Sequence, residues 1–162
     1  MIGRREAIAN VPADAPALAK FTDTAESVSE RVIGSYSTSF GGATRLLGKR
    51  HRRHVRNIYA LVRVADEIVD GVASQAGLSP AAQMDALDRY AAETHLALRT
   101  GYSSDLVIHA FARTARAAGI DASLTEPFFA AMRRDPTSPN EQRAVLDRAA
   151  HREVVEVAEA AV

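Results

Sequence analysis

The sequence RHVRNIYALVRVADEIVDG, Arg53 to Gly71, carries its acids where an amphipathic helix should carry apolar groups. Placed on a helix at about 100° per residue, Val55, Ile58, Tyr59, Val62, Ala65 and Val69 form one apolar stripe, as expected of a helix packed on a core. Asp66 falls near the middle of that stripe. Asp70, one turn on, and Arg63, one turn back, lie at its edge on the side of Tyr59, while Glu67 points elsewhere. An ionised carboxylate facing an interior is unfavourable unless it is paired or metal-bound, and acids in the last turn of a helix oppose its dipole. One explanation is a pair of solvated surface acids, or an ion pair between Asp66 and Arg63. The other is a carboxylate pair aimed into a cavity. Mg2+ suits such a pair, because it keeps several waters and takes one or two carboxylates plus substrate phosphates. The apolar stripe running through the acids favours the second explanation, since local rules are broken where function requires it.

Upstream, RLLGKRHRRHVR from Arg45 to Arg56 holds six Arg or Lys residues and two His. It reads as an electropositive rim that attracts an anionic substrate, with a solvated loop and helix start as the plain alternative. Nucleic acid ranks lower, because the aromatic residues needed for base stacking are missing. His51 and His54 have no carboxylate nearby to complete a metal site and read as surface. Earlier still, Ser35, Ser37 and Ser39 open a helix with Phe40, Ala43, Leu46 and Leu47. Such a turn offers hydroxyls and free N–H groups to an anion, or serves only as a cap.

The whole chain has 162 residues, 20 basic and 20 acidic side chains and no cysteine. That is the size of one domain, with no global field to attract nucleic acid, no disulfide, and a composition that fits the cytoplasm. Neither a signal-peptide core nor an apolar run of about 18 residues is present. Abundant alanine and arginine and few aromatics favour helices. Residues 1–20 read as a flexible arm, and Thr22 or Thr24 caps a helix to Ile33, ended by Gly34. Ser79 and Pro80 open a helix to Arg99 carrying Met84, Leu87, Ala91 and Leu98, with His95 as a half-buried spacer. Ser104 caps the next, which carries Leu106, Val107, Ala110 and Phe111 and stops at Gly119. Ser123 and Glu126 form a capping box for a helix with Phe128, Phe129 and Met132. After a break at Pro136, residues 141–162 read as a charged, Ala- and Val-rich helix.

SYSTSFGGATRLL from Ser35, followed by the Arg53–Gly71 sequence, resembles the first third of the squalene and phytoene synthases. The D-x-x-x-D motif of that family reads here as Asp66 to Asp70, its S-x-S-F element as Ser37 to Phe40, and AFARTARAAGIDASLTEPFFAAMRRD, Ala110 to Asp135, is similar to its following helix pair. The resemblance implies an all-α fold, an antiparallel helical bundle forming the N-terminal half of an isoprenoid synthase. It also implies Mg2+-dependent head-to-head condensation of two prenyl diphosphates in carotenoid or isoprenoid biosynthesis, geranylgeranyl diphosphate to phytoene being the leading case and Mn2+ a substitute metal. Carried over residue by residue, Asp66 and Asp70 are metal ligands, and Ser37, Ser39 and Arg63 contact diphosphate. Phe40 and Tyr59 line the cavity, where their rings stabilise positive charge, and Arg45 belongs to the rim. The chain departs from the pattern in one respect: it has no second D-x-x-x-D, and Glu153 with Glu156 lacks the spacing. It is therefore expected to be a truncated member, with residues 21–135 a partial synthase domain, residues 136–162 a divergent tail, and activity impaired. The alternative is a non-catalytic helical fragment or interaction module. The expected partner is a prenyl diphosphate, without nucleic acid or a transmembrane segment. Room is left for peripheral contact with the inner face of the membrane and for self-association through exposed apolar faces.

Overall fold

The computed structural model describes residues 15–37 and 47–133. These fold into six α-helices with no strand among the described residues: α1 Pro16–Tyr36, α2 Lys49–Val69, α3 Val72–Gln75, α4 Pro80–Thr100, α5 Leu106–Ala118 and α6 Ala122–Arg133. The all-α class expected from composition and pattern is what the described residues adopt. Among the described residues no helix is long and apolar enough to cross a membrane.

Local chemistry sets most of the boundaries. Ser79 Oγ accepts the Ala82 N–H at the start of α4, with Pro80 in the first turn, where its missing N–H costs nothing. Gly101 and Gly119 close α4 and α5 at φ 78° and 72°, left-handed values that an L side chain would resist. Three termini differ from the sequence expectation. Asp105, not Ser104, caps α5, its Oδ1 accepting the Ile108 N–H at 3.0 Å. The Asp121 carboxylate accepts from both the N–H and the Oγ of Ser123, so Ser123 sits inside α6 and its capping box with Glu126 is not the device used. Helix α1 starts at Pro16 and runs through Gly34 to Tyr36. Thr22 is no cap there, because its Oγ1 is engaged with His109 Nε2 at 3.0 Å. Burial of Ala25, Ser29 and Ile33 at four-residue intervals outweighs the roughly 1 kcal/mol that glycine costs a helix.

The core joins Val55, Ile58, Leu61 and Ala65 of α2 to Leu87, Tyr90 and Ala91 of α4, Val107, Ile108 and Phe111 of α5, and Phe129 and Met132 of α6. Helix α4 runs antiparallel to α2, with Tyr90 Oη donating to the Leu61 carbonyl and Gln83 Nε2 to that of Ile68. It is also antiparallel to α6, through His95 with Thr125 and Asp88 with Arg133. Helix α1 lies alongside α2, tied by Glu26 to Arg53 and Glu30 to Arg56.

The buried face of α2 is rotated from the stripe read in the sequence. His54, Asn57 and Leu61 are buried with Val55, Ile58 and Ala65, whereas Tyr59, Val62 and Asp66 lie half-buried at the margin. Two polar residues cause the rotation. His54 Nδ1 and Asn57 Nδ2 both meet Thr114 Oγ1, at 3.0 and 2.9 Å, and buried polar groups are kept where they find such partners. His54, expected at the surface, is only 8% exposed for this reason.

Candidate functional site

The second half of α2 gathers charge around one guanidinium. Arg63 Nη1 donates to Asp66 Oδ2 at 2.7 Å, and Nη2 donates to Glu67 Oε1. The other oxygen of Glu67 accepts the Val72 N–H at 3.0 Å, so the same carboxylate anchors the start of α3. Glycine at position 71 permits this, since a Cβ there would collide with the Glu67 carboxylate. The end of α1 supplies the Tyr36 ring, whose centroid lies 4.5 Å from Arg63 Cζ. The Arg63, Asp66 and Glu67 side chains are only 19%, 15% and 16% exposed. Water therefore screens these charges less than at an open surface.

Of the site residues expected from the sequence, Arg63 and Asp66 are in direct contact. Tyr59 is half-buried one turn before Arg63, and Asp70 is exposed at the C-cap, its N–H donating to the Asp66 carbonyl at 2.9 Å. Ser37 closes α1, its N–H donating to the Ile33 carbonyl, and follows directly on Tyr36. Ser39, Phe40 and Arg45 lie outside the described residues. The basic run is not assembled at this place: Arg53 and Arg56 pair with Glu26 and Glu30, and Arg56 is ten residues, or about 15 Å of helix rise, from Asp66.

Two contributors were not singled out in the sequence. Glu67, expected to point elsewhere, reaches Arg63 because a long arginine touches both its i+3 and i+4 neighbours. Tyr36 comes from a separate helix, and only its place beside the serine element hinted at it.

Whether this donor set suits a metal can be judged from its chemistry. Among the described residues no group of three or more His, Cys, Asp or Glu is placed to hold an ion, so an all-protein cage does not fit. Two carboxylates four residues apart, Asp66 and Asp70, are the donor chemistry that suits Mg2+, an ion that takes one or two carboxylates and completes its shell with water and phosphate oxygens. Arg63 Nε is buried and makes no hydrogen bond among the described residues, a donor suited to an anionic oxygen beside the acids.

A family model described as squalene/phytoene synthase matches residues 33–153. No curated protein matches the chain, and no solved structure does. The matched span takes in the serine element, the whole D-x-x-x-D helix and the four helices after it, and it runs on past the break at Pro136. With most of its length matched in this way, and with an all-α fold that places the D-x-x-x-D motif at the end of α2, the chain belongs to the squalene/phytoene synthase family of head-to-head prenyl transferases.

Proposed function

We propose that the Arg63, Asp66 and Asp70 face binds a prenyl diphosphate together with Mg2+, for head-to-head condensation of two such molecules, geranylgeranyl diphosphate to phytoene being the leading case. One observation carries this: a half-buried arginine, whose buried Nε makes no hydrogen bond among the described residues, is paired with the motif acid Asp66 one turn before Asp70, at the margin of an apolar helix face. Bound Mg2+ would neutralise charge on the leaving diphosphate and so favour its ionisation.

The chain's own residues would do the rest. Asp66 and Asp70 would hold the ion from successive turns, and Arg63 would donate charge-assisted hydrogen bonds to phosphate oxygens. Ser37 would add a hydroxyl from the end of α1. Tyr59 and Val62, half-buried on the same side of α2, would meet the prenyl chain, the Tyr59 ring facing developing positive charge.

The test is binding and turnover of geranylgeranyl and farnesyl diphosphates by the 162-residue chain, with and without Mg2+ or Mn2+. Binding that depends on the metal is the expected result. Because this sequence holds a single D-x-x-x-D, charge stabilisation is supplied from one side, and one side lowers the rate far more than the affinity. The chain alone is therefore expected to release no hydrocarbon. Absence of metal-dependent binding would overturn the proposal in favour of a non-catalytic helical module, for which the single acid motif is the supporting observation.

A further inference from the structure

The position of the Arg63 guanidinium is fixed by three neighbours, and two of them stand at no motif position. Tyr36 precedes the S-x-S-F element, and Glu67 occupies a variable place inside D-x-x-x-D. Resting on the diphosphate site just described, we propose that Tyr36 and Glu67 are positioning residues for Arg63: they hold it against Asp66 in the metal-free protein and keep it in place to take a diphosphate oxygen once a divalent cation claims the Asp66 carboxylate.

The geometry divides the work. Arg63 Cζ lies over the Tyr36 ring, 4.5 Å from its centroid, while Nη1 and Nη2 donate to Asp66 and Glu67. Glu67 takes Nη2, and its second oxygen is tied to the Val72 N–H at the start of α3. Neither contact is altered when Asp66 changes partner. Nη1, now on Asp66 at 2.7 Å, and the buried Nε, which has no partner among the described residues, then become the donors for phosphate. A long side chain loses considerable rotamer freedom when fixed, so a ring and a carboxylate that hold it beforehand reduce what the ligand must order. Charge is handled in the same step. In the metal-free protein Arg63 offsets two carboxylates packed at i+3 and i+4, which would otherwise repel across a half-buried surface.

Calorimetry with inorganic pyrophosphate plus Mg2+, and separately with Mg2+ alone, tests this on the full 162-residue chain. Tyr36→Leu is expected to weaken pyrophosphate binding about two- to fivefold, the range of a partly exposed cation–π contact. Binding of Mg2+ alone should be no weaker, because Arg63 competes less well for Asp66. Tyr36→Phe, which keeps the ring, should restore pyrophosphate affinity, and Glu67→Gln should weaken it in the same sense as Tyr36→Leu. Unchanged pyrophosphate affinity in both Tyr36→Leu and Glu67→Gln overturns the positioning role while leaving the diphosphate site standing. A parallel loss of both ligands in Tyr36→Leu also overturns it, since that is what a structural lesion produces. If the unaltered chain binds neither ligand, the site and the positioning role fall together.

Discussion

Arg63 and Asp66 lie one turn apart on α2 and are joined at 2.7 Å, each less than one-fifth exposed. An acid that the sequence places at a metal site thus spends the metal-free state neutralised by its own helix. Asp66→Asn removes this pair but leaves Arg63 bound to Glu67. The expected cost is about 1 kcal/mol in urea denaturation without metal, between the values for exposed and fully buried pairs. Mg2+-dependent pyrophosphate binding should be lost in the same variant. A gain in metal-free stability would show instead that repulsion from Asp70 outweighs the pair.

Arg63→Lys separates charge from shape. An ammonium keeps the positive charge but cannot bridge Asp66 and Glu67 with a planar fork while also packing over the Tyr36 ring. Losing one charge-assisted hydrogen bond should lower pyrophosphate affinity about tenfold. Equal affinities, measured by calorimetry, would mean that Arg63 acts only as a point charge.

Much of this was legible in the sequence, and the misses have physical causes. The helices α2, α4, α5 and α6 follow from periodicity, from Ser79 with Pro80, and from Gly119. The shared face of Arg63, Asp66 and Asp70 follows from the helical repeat. The rotation of the α2 core face does not, because it depends on His54 and Asn57 being buried against Thr114, sixty and fifty-seven residues away. A hydrophobic template scores those two positions as surface. Tyr36 was hidden for the same reason: its contact with Arg63 exists only once α1 lies along α2. Glu67 points away from the apolar stripe on a helical wheel, yet the long arginine reaches over both its i+3 and i+4 neighbours.

Thr114 is expected to be the most sensitive polar residue in the bundle. Its hydroxyl serves His54 and Asn57 together, and Asn57 is 1% exposed. Thr114→Val preserves shape but leaves two buried groups unsatisfied, at about 1–3 kcal/mol each. A loss of roughly 2–4 kcal/mol is expected in urea denaturation, while Thr114→Ser, which keeps the hydroxyl, should lose much less. Similar losses in the two variants would assign the effect to packing of the methyl group.

His54 and His109, the buried histidines among the described residues, should make the fold acid-sensitive well above the carboxylate range. His109 Nδ1 accepts the Ser103 N–H at 3.4 Å, which assigns the ring hydrogen to Nε2, donating to Thr22 at 3.0 Å. Protonation would set an N–H against an N–H. Burial, with Arg113 adding to it, holds the His109 pKa below its ordinary 6.5. Burial also lowers that of His54, helped by Arg53, Arg50 and His51. A histidine whose folded value is depressed binds fewer protons folded than unfolded, so its stabilisation is complete above about 6.5 and is lost as pH falls toward the folded value. Glu26 works the other way at lower pH, because burial raises its carboxyl above 4.5 and protonation there favours the fold. The clean window is therefore pH 7 down to about 5.5. Urea midpoints should fall across it in the unaltered chain and fall less in His109→Gln, whose amide can still pair with Thr22 without titrating. An equal slope in the variant would remove His109 from the acid response and leave His54 to explain it.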